Sequence, residues 1–287
     1  MRWGIPQTPD RLAFWVLGGL IACSAGEPRR TRRLVLEWLP FAALLLIYDF
    51  LRGYADQLDT RAHVLPQIWV GRVLGGGSLP TVWLQRHLWH GPDHLRWYDY
   101  ASWAVYASYF FVTPILAAAL WLRAPHQFRR YSASIAVLVG SALATYALAP
   151  AVPPWLASRD GLIPHTTRLV DPIAAHVPFV DFEPLFEHGQ AWSNDVAAIP
   201  SLHAALTLLA ALFLGAVTRR KLVRVLLALY PLAMAFALVY TGEHYTLDVL
   251  LGWLYAGTAF GLVVCVEAKW KRPRRAAGTS GAARSGA

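Results

Sequence analysis

The stretch VAAIPSLHAALTLLAALFLG, Val196–Gly215, decides the fold class. It has the roughly 20 apolar residues that an α-helix needs to cross the core of a bilayer. Yet Pro200, Ser201 and His203 stand at its mouth. A titratable ring is expensive at membrane depth, so its presence there asks for a functional reason.

The rest of the chain has the same apolar character. Of 287 residues, 56% are hydrophobic, only 15% are charged and 13 are tryptophans. That balance excludes an ordinary soluble domain and predicts an all-α, polytopic membrane helix bundle. Apolar runs near 34–50, 99–122, 132–150, 197–217, 222–241 and 246–266 supply six core transmembrane helices. A shorter apolar stretch, Leu12–Ala25, reads as an extra N-terminal membrane or interfacial segment, or as a signal-type sequence. The cluster RRTRR at Arg29–Arg33 follows it directly, and such clusters stay in the cytoplasm, which argues against cleavage. The expected organisation is an N-terminal segment over 1–33, one transmembrane domain over 34–270 and a small, polar, disordered cytoplasmic tail over 271–287.

Charge placement orients this bundle. The net charge of +9 does not indicate nucleic-acid binding, because the basic residues gather in short loops and the tail. The clusters are Arg29–Arg33, Arg123–Arg130, Arg219–Arg224 and Lys269–Arg275. With six spans all four fall on one side, which is the cytoplasmic side by the positive-inside rule. The long segments 51–98 and 151–196 and the tight turn at Thr241–His244 then face the other way. Both long segments are rich in Trp, His, Pro and Gly, as expected of chain lying partly on the membrane surface. Cys23 and Cys265 have no motif partner and read as bystanders.

On that outer rim three polar residues agree in depth. His203 opens the fourth core span, while His244 and Asp248, in YTGEHYTLDVLLGW, open the sixth. Residues four apart share a helix face, so Asp248 can hold the His244 ring and leave its other nitrogen free as base or nucleophile. Singly, each has a plainer reading: a helix-to-helix hydrogen bond for a histidine, a helix cap for the aspartate. Agreement of all three in side and depth favours a site.

The segments AAIPSLHAA (Ala197–Ala205) and GEHYTLDVLLGW (Gly242–Trp253) resemble the second and third signature motifs of the type-2 phosphatidic acid phosphatase superfamily of membrane lipid phosphoesterases. More closely, the chain resembles the branch of inositol-phosphorylceramide synthase-like phosphotransferases. YDFLRGYAD (Tyr48–Asp56), PTVWLQ (Pro80–Gln85) and APAVPPW (Ala149–Trp155) are similar to that branch too. The resemblance runs from about 34 to 267. It implies a metal-independent phosphohistidine mechanism without cofactor. His244 attacks phosphorus, Asp248 orients its ring, and His203 protonates the departing oxygen. His203 then acts as base toward water or a lipid hydroxyl acceptor. His244 must be neutral and His203 charged, which predicts a bell-shaped pH profile.

Two departures from the phosphatase members matter. Their first motif, with a Lys and an Arg before Pro, is replaced by APAVPPWLASR, and the Arg six residues before the third-motif His is Leu238 here. Loss of these phosphate ligands leans toward transfer of a phosphorylated headgroup rather than plain hydrolysis of phosphatidate-like or polyprenyl phosphate lipids. A transferring phosphate still needs cations. Arg52 and Arg168 are the favoured partners, Arg159 the next, with Arg61, Arg72, Arg86 and Arg96 behind them; Ser201 is a further candidate phosphate ligand. Each arginine is alternatively an interfacial residue meeting lipid headgroups. His87, His90 and His94 have metal-like spacing, but Gly91-Pro92 breaks the helix between them, so an interfacial loop is expected rather than a metal site. Glu243 reads as a solvated turn residue in preference to a contact for a polyol headgroup. A proton-coupled carrier with a His/Asp relay is the rival of another class. It requires polar residues deep in several spans, where these spans are nearly unbroken apolar runs.

Overall fold

The computed structural model describes residues 18–22, 24, 26–38, 64–177 and 198–281, with the backbone alone for 271–281. Among them the chain forms helices and loops with no β-strand. In order these are α1 (Leu65–Leu74), α2 (Pro80–Leu88), α3 (Trp97–Arg123), α4 (Pro125–Leu148), α5 (Pro154–Arg159), α6 (Val170–Ala174), α7 (Leu202–Val217), α8 (Lys221–Tyr240) and α9 (Thr246–Gly281). Residues 28–38 are helical as well. Among the described residues four helices are long and apolar enough to cross a membrane: α3, α4, α8 and the Thr246–Trp270 part of α9. The chain is therefore an all-α, multi-pass membrane protein. Most of the expected span at 34–50, and most of Leu12–Ala25, lie outside the described residues.

Two helices start away from the ends of their apolar runs. The span expected from 197 begins as helix only at Leu202, where Ser201 caps α7 by accepting the Ala204 N–H at 3.3 Å. Pro200, with no N–H to give, stands just before that cap. The non-helical approach is held by protein partners. The Ala198 N–H donates to the Ala151 carbonyl (3.2 Å), and the Tyr146 hydroxyl donates to the Pro200 carbonyl (2.8 Å). Irregular backbone at membrane depth is tolerated where protein satisfies it in this way. Conversely, α4 begins at Pro125, well before the apolar run at 132, because proline suits a first helical turn.

The short helix α7 is the centre of the bundle, packing on α3, α4, α8 and α9. Most of its residues up to Phe213 are buried, among them Leu202, Leu206, Leu209 and Phe213 on one face and Ala204 and Ala211 on the opposite one. Its small residues Ala204, Ala205, Ala210 and Ala211 let the neighbouring backbones come close, as membrane packing requires.

The basic clusters collect at one end of the bundle. Arg130 Nε pairs with Glu267 at 2.6 Å, and His126 bonds the same carboxylate. Trp121 Nε1 donates to Glu37 (2.9 Å), while the guanidinium groups of Arg30 and Arg33 lie over the Trp121 ring. The opposite end carries α1, α2, α5 and α6, together with both histidines of the expected site. Trp69, Trp83 and Trp97 are exposed there.

Candidate active site

His203 lies in the first turn of α7, where the Ser201 cap fixes the direction of the helix. Its ring packs on α3. It stacks on Tyr106 (centroids 5.0 Å apart, planes at 20°) and meets Tyr109 at 4.1 Å. Phe110 presents an edge to it at 6.3 Å.

His244 lies in the turn between α8 and α9. Gly242 adopts φ +82°, a left-handed conformation suited to glycine, and a side chain there would also meet the Thr167 carbonyl at 3.0 Å. This turn sends the N–H groups of Glu243 and His244 back to the Leu238 carbonyl (3.1 and 3.2 Å). Asp248, in the first turn of α9, is completely buried. Its Oδ2 accepts the Tyr245 N–H at 2.8 Å and lies 3.5 Å from His244 Nδ1. Asp248 therefore caps its own helix and faces His244 at once.

The two histidines meet because α7 and α9 approach closely. The Ser201 N–H donates to the Asp248 carbonyl at 3.0 Å, and a Cβ on Gly252 would stand 2.3 Å from the Ser201 carbonyl oxygen. The His203 and His244 ring centroids are 5.8 Å apart. With Nδ1 of His244 turned to Asp248, its Nε2 is the nitrogen left for chemistry.

The loop ahead of α6 brings Arg168 to Glu243, the residue before His244. Gln85 staples that loop down. It accepts the Thr167 N–H (2.9 Å) and donates to the Thr167 carbonyl (2.8 Å) and the Tyr240 carbonyl (2.9 Å). The Leu169 N–H adds a bond to the Thr241 carbonyl (3.0 Å). The Arg168 guanidinium lies over the Trp155 ring at 5.2 Å and within electrostatic reach of Tyr106, the residue stacked on His203. Its Nε donates to Glu243 Oε1 at 2.7 Å. Burial opposes the charge of Arg168, but Glu243 outweighs that and holds its pKa above the ordinary value. Burial also raises the Asp171 carboxyl, against the pull of Arg168 3.9 Å away.

His203, His244, Asp248 and Arg168 thus converge. Ser201 is fully buried and its hydroxyl is used as the α7 cap. Arg159 stays exposed beside Asp160, its guanidinium 5.8 Å from the Trp155 ring. Arg52 lies outside the described residues. Glu243 is not the solvated turn residue expected: its side chain is only 10% exposed and is paired with Arg168. Leu238, at the position of the missing arginine, is fully buried among apolar neighbours that include Tyr106 and Met234. His87 and His90 each turn Nδ1 to a nearby backbone carbonyl. No group of three or more His, Cys, Asp or Glu among the described residues is placed to hold a metal ion. Nothing in the sequence alone singles out Tyr106 or Tyr109, and the signal for Gln85 is its place at the end of PTVWLQ, one of the segments that carry the resemblance.

Comparison with curated proteins found no match, and comparison with solved structures found none. The profile of the PAP2 superfamily matches residues 81–262, a stretch that contains both histidines, the aspartate and the stapled Arg168 loop. The chain belongs to the PAP2 superfamily, and that membership makes it, in general terms, a phosphatase-type lipid phosphoesterase.

Proposed function

We propose that the protein cleaves a lipid phosphoester through a phosphohistidine on His244 and passes the phosphorylated headgroup to an acceptor hydroxyl. The observation that carries this reading is the pairing of two imidazoles 5.8 Å apart, one of them backed by a buried carboxylate. In the first step His244 Nε2 forms a bond to phosphorus as the bond from phosphorus to the leaving oxygen breaks. His203, protonated, gives that oxygen its proton. In the second step an acceptor oxygen attacks phosphorus, the bond to Nε2 breaks, and His203 takes the proton of the attacking hydroxyl. Arg168 offsets the charge on the phosphoryl oxygens. Tyr106 and Tyr109 hold the His203 ring against rotation, which keeps the proton donor aimed.

Transfer is favoured over hydrolysis by Leu238, whose burial leaves an apolar contact where phosphatase members resemble one another in carrying arginine. Hydrolysis uses the same phosphoenzyme and differs in whether water reaches it. The basic end of the bundle is assigned to the cytoplasm by the positive-inside rule, so the site opens on the extracytoplasmic face of the cell membrane. A lipid phosphate lies at that depth, which accounts for a histidine at the mouth of the Val196–Gly215 run.

The test is turnover by purified protein in detergent with a panel of lipid phosphates and phosphodiesters, with and without a hydroxylated lipid acceptor. A new lipid formed only with acceptor supports transfer, and free phosphate without acceptor supports hydrolysis. Activity that survives His244→Ala overturns the phosphohistidine.

A further inference from the structure

The Arg168 side chain is the one feature of the site whose pairing the mechanism above does not use. Its guanidinium is committed to a carboxylate before any substrate arrives. Nε donates to Glu243 Oε1 at 2.7 Å and Nη2 reaches Oε2 at 3.4 Å, a two-pronged pair with both side chains largely buried (19% and 10% exposed). Asp171 Oδ2, 3.9 Å from Nη1, adds further negative charge. Glu243 is also the residue directly before His244, and its pairing with Arg168 keeps its carboxylate from swinging away.

A cation held this way offers less net positive charge than a free one. In a partly buried site that difference is felt, because charges there act on one another through an effective dielectric constant well below that of water. A phosphate monoester carries close to two negative charges at neutral pH, and a diester carries one. Glu243 repels the first about twice as strongly as the second, while Arg168 is already partly neutralised. We infer that Glu243 is a specificity-determining residue that, by pairing with Arg168, matches the site to singly charged phosphodiesters and disfavours doubly charged phosphomonoesters. This rests on the phosphoester site proposed above and names the substrate class that the site takes.

Binding, rather than turnover, tests it. Two hydrolysis-resistant ligands are compared by titration calorimetry against the full chain in detergent micelles: a long-chain alkyl phosphonate, at a pH where it is doubly charged, and the alkyl(methyl)phosphinate of the same chain length, which is singly charged and has no P–O–C bond to cleave. The readout is the ratio of the two dissociation constants. Glu243→Gln is expected to tighten the dianion about tenfold relative to the monoanion. Arg168→Gln is expected to shift the ratio the other way, and the double variant, which restores the charge balance, to return it toward the wild-type value. A ratio unmoved in Glu243→Gln overturns the inference. So does a double variant that keeps the single variant's ratio. If Glu243→Gln does not run as a single species in detergent, the Arg168→Gln ratio decides alone, and no shift there overturns the inference as well. The experiment needs no phosphohistidine. His244→Ala turnover speaks to the proposed reaction, and the binding ratio speaks to charge selection.

Discussion

Asp248 places one carboxylate oxygen 2.8 Å from the Tyr245 N–H and 3.5 Å from His244 Nδ1. A single buried group therefore starts the last membrane helix and faces the ring of the proposed nucleophile. The two jobs make different demands. Capping needs an acceptor, whereas orientation needs an acceptor that also selects the tautomer with Nδ1 protonated.

Asp248→Asn separates them. The amide oxygen can take the Oδ2 position and still accept from Tyr245, but a neutral amide removes the negative charge that holds the proton on Nδ1, so the tautomer whose Nε2 carries the proton gains population. We expect thermal stability close to wild type and turnover down by about 10³- to 10⁴-fold, the scale on which a misassigned tautomer acts in catalytic triads. Asp248→Ala should lose turnover likewise and also about 1 kcal/mol of stability with the cap. Equal stability loss in both variants, measured by thermal unfolding in detergent, would remove the capping role.

Gly252 is where α9 passes the Ser201 carbonyl, with room for no side chain: a Cβ there would lie 2.3 Å from that oxygen. Gly252→Ala must push the two helices apart at the turn that carries His203. Overpacking of this kind costs about 1–3 kcal/mol, and here it also widens the gap between the two rings. The expected result is a lowered unfolding temperature with a larger proportional loss of turnover. A Cβ on Gly257, in the same helix, would meet nothing within 4 Å, so Gly257→Ala is the control expected to leave both unchanged.

Gln85 holds the Arg168 loop with three hydrogen bonds to backbone groups that are 82 and 155 residues away in sequence. Gln85→Leu fills similar space and leaves these groups without their partner, at a cost of about 1–3 kcal/mol for each one kept from water. The loop should loosen before the bundle does. Hydrogen exchange at Thr167 and Leu169 should accelerate and KM should rise, while the transmembrane segments keep their protection. An unchanged exchange rate at Thr167 would show that the loop is held by other contacts.

Hydropathy reads contact with lipid, and it located the long helices α3, α4, α8 and α9 because most of their length is apolar. It could not place helix ends, since those follow hydrogen bonding: the run from 197 stays non-helical to Ser201, while α4 takes in the polar turn from Pro125 onward. His203, His244 and Asp248 were legible because motif spacing and membrane depth both point to them. Glu243 was misread because its partner is 75 residues away, joined through a loop with no periodicity. Tyr106 and Tyr109 look like any aromatic residues of a membrane helix until α7 is laid against α3.

His203 gives the sharpest separation of roles. If it donates a proton to the leaving oxygen, its removal matters in proportion to how badly that oxygen needs one. An alkoxide leaves poorly unprotonated, and general acid catalysis contributes about 10²- to 10⁴-fold in such cases. A nitrophenolate leaves well without help. His203→Ala should therefore lose about 10²-fold or more on an alkyl phosphodiester. With a nitrophenyl phosphodiester of matched chain length, formation of the phosphoenzyme should fall by less than about tenfold. The alkaline limb of the pH profile should disappear in the variant for the alkyl substrate, because the group whose deprotonation causes it is gone. His244→Ala should be inactive on both substrates, since no leaving group replaces a missing nucleophile. Equal losses for the two substrates in His203→Ala would assign His203 to packing against Tyr106 and Tyr109 instead of proton transfer.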